Sequence, residues 1–259
     1  MKKQFMKCMS LRVLMIETAI LIIIAFLFYG CGPTEPSLSQ EFILPDSLAS
    51  EYITWDGSHL WLLKEGFRGA ESRYYRLSTS GEIVSSFDAP GAYQKATAIE
   101  WDGSHLWTIL WLSGDTLPEY PTIFRVTTSG EIISSFSSPV AYPTDIVWDG
   151  AHLWIHRTGE WPRQWYKIST SGEILDSFDF SMKTDGAAWD GQYMCCVNHP
   201  SRIPTSGRYS DIFRLSTSGE IIDSFRFDDV KLGGLAYDGS DFLVISLELG
   251  PWVCKITDF

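Results

Sequence analysis

Four acidic side chains are the best placed in this sequence to do chemistry. Glu51, Glu100, Asp145 and Asp185 each precede a Trp-Asp-Gly triplet or its equivalent by one to four residues, so all four fall on short apolar segments of the same kind. If those segments line one channel, the carboxylates converge. Converging carboxylates can hold Ca²⁺, the single cofactor this pattern points to, or divide into an acid and a base when burial and repulsion drive their pKa values apart. No histidine or asparagine accompanies them in those segments, and solvated polar groups in a channel would read the same way.

A second candidate set is aromatic and basic. Trp111, His156, Trp161, Arg163, His199 and Arg202 lie on stretches whose lengths vary along the chain, together with Arg68, Arg157 and Trp165. Such a rim suits a carbohydrate, a peptide or a small anion, because flat rings stack on apolar faces and guanidinium groups bind oxyanions in a fixed fork. Packing of the loops alone is the competing account. Three further histidines, His59, His105 and His152, each stand four residues after a motif tryptophan. A metal would need them to meet, yet equivalent places in successive repeats stand apart, so a repeated structural role is expected.

The elements that position these residues come from an internal repeat. Trp55-Asp56-Gly57, Trp101-Asp102-Gly103, Trp148-Asp149-Gly150, Trp189-Asp190-Gly191 and Tyr237-Asp238-Gly239 are spaced by 46, 47, 41 and 48 residues. Between them run Thr79-Ser80-Gly81-Glu82, Thr128-Ser129-Gly130-Glu131, Thr170-Ser171-Gly172-Glu173 and Thr217-Ser218-Gly219-Glu220. Each unit predicts four short strands. Strand A ends at the tryptophan, Asp-Gly turns a tight hairpin into strand B, and Ser-Gly turns strand C into strand D.

A four-stranded meander repeated at this period is a propeller blade. The fifth unit reaches only strand C, at Cys254 to Phe259, while Glu41 to Pro45 resembles the ends of the other D strands. The fold predicted is therefore all-β: a single five-bladed β-propeller over residues 41–259, with four-stranded antiparallel blades and the last blade closed by the N-terminal strand. Closure in this way leaves no open seam.

Within this frame the tryptophans at the motif and at Trp61, Trp107 and Trp154 are expected to fill the space between blades. The strand C bases Arg76, Arg125, Lys167, Arg214 and Lys255 recur at one position. If Ser-Gly is a two-residue turn, Lys167 faces Asp176 and Arg214 faces Asp223, in solvated pairs worth a few tenths of a kcal/mol. Length variation falls only in the B to C and D to A connections, which emerge on one face. That face is the predicted binding surface.

In WD-repeat proteins the Trp-Asp pair ends strand C and works with an upstream Gly-His, whereas here it sits at the A to B hairpin. Over Phe42 to Phe259 the blade motifs instead resemble extracytoplasmic bacterial propellers of the broad NHL, gluconolactonase-like and glutamine-cyclotransferase-like kind. The resemblance implies the fold and an extracytoplasmic setting, and it brings no catalytic signature with it.

The N-terminus reads as an address. Lys2, Lys3 and Lys7 precede an unbroken apolar run from Ala19 to Tyr29, a signal-peptide layout too short for a comfortable membrane span. Gly30-Cys31 resembles the cleavage site of bacterial lipoproteins, which implies lipidation at Cys31. Phe28 and Tyr29 depart from the leucine and small residue usual there; an uncleaved anchor over Val13 to Tyr29 and plain secretion are the alternatives. Residues 1–30 are thus expected to be a signal peptide and residues 31–40 a flexible tether. Gly32, where some lipoproteins have Asp, resembles the pattern of those passed to an outer membrane.

Composition sets the remaining limits. With 259 residues, 45% of them hydrophobic, the chain can bury a full core, which excludes a mainly disordered protein. The formal charge is −12, and removing residues 1–30, with four basic side chains and one acidic, leaves −15. Such a domain repels nucleic acid. Cys195, Cys196 and Cys254 remain besides Cys8 and Cys31; adjacent strand residues face opposite ways, so at most one of the first two could pair with Cys254. The reading favoured is a monomeric, lipid-anchored module of the cell envelope, periplasmic or surface-exposed, that binds a protein or carbohydrate ligand on its variable-loop face. The rival is a propeller hydrolase or lyase that uses the channel carboxylates on a carbohydrate, lactone or peptide-like substrate.

Overall fold

The computed structural model describes residues 35–45, 48, 50, 52–66, 71–90, 93–112, 120–159, 161–198, 209–246 and 251–259. They form twenty strands in five four-stranded sheets and no α-helix. Blade one contains β2 (Ile53–Trp55), β3 (Leu60–Lys64), β4 (Arg73–Leu77) and β5 (Ile83–Asp88). Blade two has β6 (Tyr93–Trp101), β7 (Leu106–Leu112), β8 (Thr122–Val126) and β9 (Ile132–Ser137), and blade three β10 (Pro143–Trp148), β11 (Leu153–Arg157), β12 (Gln164–Ile168) and β13 (Ile174–Asp179). Blade four has β14 (Gly186–Trp189), β15 (Met194–Asn198), β16 (Tyr209–Leu215) and β17 (Ile221–Asp228). Blade five is β18 (Leu232–Tyr237), β19 (Phe242–Ser246), β20 (Trp252–Thr257) and, as its outer strand, β1 (Ser37–Ile43). The A strands β2, β6, β10, β14 and β18 neighbour one another in a closed ring. The protein is a five-bladed β-propeller.

Ring closure by the N-terminal strand is as the repeat predicts, with one boundary corrected. Strand β1 pairs with β20 from Ser37↔Thr257 to Ile43↔Trp252, so residues 37–40 belong to the sheet and not to a tether. The physical reason lies in Leu38, which packs against the apolar cluster between blades four and five.

The core is divided among the blade interfaces. Five apolar clusters lie one between each adjacent pair of blades, and Trp61, Trp107 and Trp154 are almost fully buried in three of them. Cys195 faces the cluster between blades four and five while Cys196 faces the one behind it, as alternation requires. All three described cysteines are free and buried, and burial pushes the Cys195 thiol up to about 12.

Both turns are wider than the tight A to B hairpin and the two-residue Ser-Gly turn expected. Trp55 pairs with Leu60, so the A to B loop holds four residues, and the Asp56 side chain organises it by accepting from the amides of Ser58 and His59 at 2.9 and 2.7 Å. The second Asp56 oxygen accepts from Trp61 Nε1 and Arg76 Nε, both at 2.9 Å. Burial opposes ionisation of Asp56, but the donors from Ser58, Trp61 and His59 outweigh it and hold its pKa down at about 2. The C to D turn spans five residues, with Ser78 N donating to Glu82 O.

The strand C bases therefore have partners other than those expected. Lys167 and Asp176 are in register, as are Arg214 and Asp223, yet the ion pairs run from Lys167 to Asp149 and from Arg214 to Asp190. Asp149 is nearly buried at the hairpin and already accepts two backbone donors, so it attracts the cation more strongly than a solvated strand D carboxylate.

Candidate functional site: channel carboxylates and loop face

Strands β6 and β10 and the residue that precedes β14 bring three of the four predicted carboxylates within electrostatic reach of one another, from places one, three and four residues before the motif tryptophan. Glu100 is buried on β6 and ties three blades together. It accepts from Thr54 Oγ1 of blade one at 3.0 Å and from the Trp148 amide of blade three at 3.1 Å. Burial pushes its pKa up to about 8, and the charge of Asp145 acts in the same direction. Asp145, on β10, accepts from the Ile146 amide at 3.0 Å. Burial pushes it up to about 7, aided by the charge of Asp185 and opposed by donors from Ile146 and Thr184. Asp185 is buried too, and Lys183 Nζ lies 2.5 Å from its Oδ1. Glu51 lies outside the described residues.

These groups form an electrostatic series from Glu100 through Asp145 to Asp185, ended by the Lys183 ammonium. Two carboxyl groups that titrate between about 7 and 8 can give and take protons near neutrality. Access is what limits them. The axial cavity beside Asp145 has a volume of about 10 Å³ and is lined by Tyr52, Ile53, Ile99, Ala187, Leu235 and two glycines. That is room for one water molecule. The glycines, Gly186 and Gly234, bring the backbones of blades four and five into contact: a Cβ on Gly186 would stand 2.6 Å from the Gly234 Cα. The Gly234 amide also donates to the Asp185 carbonyl at 2.6 Å. Among the described residues no three His, Cys, Asp or Glu side chains gather closely enough to hold a metal ion.

The loop-face residues separate into two layers. Trp161 is 71% exposed, and the Arg163 guanidinium lies over its ring at 5.1 Å while donating to the Ser181 carbonyl at 2.9 Å. Trp111 and His156 lie underneath. Trp111 donates to Thr97 Oγ1 at 3.1 Å and stacks on Tyr142. His156 is fully buried, its Nδ1 lies 2.9 Å from Thr184 Oγ1, and it stacks on Trp165. Burial, reinforced by the Arg163 charge, pushes His156 down to about 3, so it is neutral. These two shape the floor of the face and do not reach its surface. His199 and Arg202 lie outside the described residues.

His59, His105 and His152 serve the hairpins. The Nδ1 atoms of His59 and His105 lie 2.7 Å from the preceding serine hydroxyls, and all three rings flank the loop aspartates. Sequence reasoning missed Thr54, which precedes its motif tryptophan as Glu100 does, and Lys183 and Thr184 from the D to A connection; all three bond the carboxylates. It also passed over Gly186 and Gly234, although a glycine inside a strand marks a close backbone approach.

No protein-family model matches the chain, and no curated protein matches it in sequence. Solved structures do resemble it. A glutaminyl cyclase from Myxococcus xanthus superposes with a TM-score of 0.59 at 11% identity, over 85% of this chain and 95% of that one. A neuraminidase-like protein of subtype N10 from a bat influenza virus gives 0.49 at 9% identity, over 87% of this chain and 99% of that one. A gluconolactonase from Xanthomonas campestris gives 0.48 at 10% identity, over 77% and 68%. At such identities the likeness is one of fold.

Proposed function

We propose that this chain is an extracytoplasmic, lipid-anchored β-propeller that acts as a ligand-binding or protein-interaction scaffold through its variable-loop face. The observation that carries this reading is the constriction of the channel. At Asp145 the axis has space for about one water, so an organic ligand is left with the loops and the outer surfaces. On the loop face the exposed Trp161 with Arg163 stacked on it offers an apolar plane beside a cation, which suits a sugar ring or an acidic peptide. Support for the anchor comes from the apolar run that ends at Gly30-Cys31. The domain so placed meets the membrane through its lipid, works as a monomer in the cell envelope, and repels nucleic acid by its acidity.

One observation favours a second reading, that of a hydrolase or lyase. Glu100 and Asp145 are poised to exchange protons near neutral pH, and the fold is shared with a glutaminyl cyclase. A peptide-like, lactone or carbohydrate substrate would then have to reach Asp145 from the mouth of the channel.

The test is a comparison of faces. Glycan and peptide arrays are probed with the wild-type chain, with a Trp161→Ala/Arg163→Ala variant, and with Ser80→Ala/Ser129→Ala on the constant hairpins. The scaffold reading requires loss of binding in the first variant only, at unchanged melting temperature. Turnover of an array substrate that Asp145→Asn abolishes would replace it with the enzyme reading.

A further inference from the structure

The repeat contains its own description of a ligand. In blades one to three the strand B tryptophan is held by five contacts that recur in every copy. Its Nε1 donates to the hairpin aspartate: Trp61 to Asp56, Trp107 to Asp102 and Trp154 to Asp149, at 2.9, 2.9 and 3.0 Å. A strand C base lies over its ring, with Arg76, Arg125 and Lys167 at 5.7, 5.5 and 5.4 Å. The strand D phenylalanine meets it edgewise or tilted, with Phe87, Phe136 and Phe178 at 5.9, 6.1 and 5.5 Å. The first strand B residue and the motif tryptophan of the next blade complete the pocket, as Leu106 and Trp101 do around Trp61.

At the seam between blades five and one all five holders are present, but Leu243 stands in place of the tryptophan. Asp238, Lys255 and Phe42 of blade five and Leu60 and Trp55 of blade one line a cavity of about 170 Å³ there, with Leu243 in its wall. The cavity exceeds by more than tenfold the roughly 10–15 Å³ that one water needs. The exposure of the carboxylates follows the indole. The side chains of Asp56, Asp102 and Asp149, each under a tryptophan, are 2%, 2% and 7% exposed, whereas that of Asp238 is 17% exposed. Its Oδ2 lies 3.2 Å from Lys255 Nζ and has no tryptophan donor. The interface between blades four and five also lacks the tryptophan, at Cys195. There Phe242 stands where other blades have leucine or methionine, and the strand C base Arg214 lies 4.7 Å from the Phe259 ring, so two added rings line the cavity of about 260 Å³ at that interface. No such exchange occurs at Leu60.

We propose that the seam between blades five and one is a binding site for a planar aromatic ring with an N–H donor, of the indole class. The ring lies between Phe42 and the apolar wall of blade one, donates its N–H to Asp238 Oδ2 and receives Lys255 over its face. This site is separate from the loop face and does not depend on what binds there. Because β1 contributes Phe42, occupancy fastens the strand that closes the ring, so the ligand stabilises the folded domain by mass action.

Saturation-transfer NMR and thermal unfolding of the full-length chain with indole, 1-methylindole and the peptide Gly-Trp-Gly test this. Indole is expected to bind and to raise the melting temperature, and 1-methylindole, which cannot donate, to bind at least tenfold more weakly. Leu243→Trp should fold and lose indole binding by completing the repeat. Should that variant fail to fold, Asp238→Asn carries the test: it puts an N–H₂ donor in place of Oδ2 and should weaken indole tenfold or more. Tighter binding of the peptide than of indole assigns the ring to a partner's tryptophan, and the reverse order to a free small molecule. Absence of indole binding at millimolar concentration, equal affinity for 1-methylindole, or undiminished binding to both variants overturns the proposal.

Discussion

Phe87 of blade one lies so close to Gly130 of blade two that a Cβ on the glycine would stand 2.6 Å from the phenylalanine ring. The same contact recurs between Phe42 and Gly81, Phe136 and Gly172, and Phe178 and Gly219. The glycine of each C to D turn is thus needed twice, once for its positive φ and once as the floor under the preceding blade's phenylalanine. Gly103, at φ 94° in an A to B hairpin, has the first requirement without the second, since a Cβ there meets nothing within 4 Å.

This difference gives a paired prediction. Gly103→Ala pays only for the left-handed backbone, about 1–2 kcal/mol. Gly130→Ala adds a clash with a ring packed between blades, so it should cost at least a further ~1 kcal/mol. Urea unfolding of the two variants measures it; equal losses would mean that Phe87 moves aside freely.

A pH dependence follows from the channel. Glu100 goes from an ordinary value of 4.5 to about 8 in the folded protein, and Asp145 from 3.8 to about 7, both chiefly through burial. A raised folded pKa means that the folded state holds the proton more tightly. The contribution is complete below the unfolded value and is lost as pH rises through the folded one. Stability should therefore fall between pH 5 and 9, and Glu100→Gln with Asp145→Asn should flatten that fall. Urea midpoints across this range provide the check, and parallel slopes in variant and wild type would refute the assignment.

The blades were legible in the sequence because each must solve one packing problem with one set of residues. The Trp-Asp-Gly and Thr-Ser-Gly-Glu motifs therefore marked nine turns and ends of strands at once. What was not legible depends on direction and depth. Register correctly placed Lys167 opposite Asp176, but the lysine leans across the hairpin to Asp149, a choice fixed by burial and not by spacing. His156 sits in a strand that ends at a variable loop, and its neighbour Thr184 comes from 28 residues further on, so its burial had no local signal. By contrast, that Cys195 and Leu243 replace the tryptophan can be read from the repeat, but only the structure showed that Phe242 and Phe259 line the cavity at the first seam while Leu60 keeps its usual place at the second.

Lipidation is the prediction on which the cellular setting rests. Changing Cys31→Ser should abolish labelling by a palmitate analogue and release the chain from membranes, while an uncleaved anchor would hold the variant at the membrane. Retained labelling of the serine variant would remove the basis for a lipid anchor.

Strand β1 should be indispensable for stability although it is remote in sequence from its partner. Its pairing with β20 and the burial of Leu44 at 1% exposure join the two ends of the propeller. Deleting residues 32–46 would strip Phe42, Leu38 and Leu44 from two apolar clusters and leave β20 as an open edge, at a cost of several kcal/mol. Melting within a degree or two of the intact chain would show that the ring closes without it.

The premise that the repeat specifies an indole can be tested where an indole already sits. Trp107→Leu in blade two reproduces the blade five arrangement, with Asp102, Arg125, Phe136, Leu153 and Trp148 left in place. The substitution removes a buried ring from a core interface, and the cost of such truncations sets the expected loss at ~3 kcal/mol. It also removes one of the donors around Asp102, whose pKa is held below the ordinary value, so that pKa should rise. If the five contacts define the ring chemically, free indole should restore part of the lost stability, and 1-methylindole should restore less because it cannot donate to Asp102. Thermal unfolding of the variant with each compound decides this. Equal rescue by both would reduce the pocket to an apolar hole that any ring can fill, and the same doubt would then fall on the seam beside Leu243.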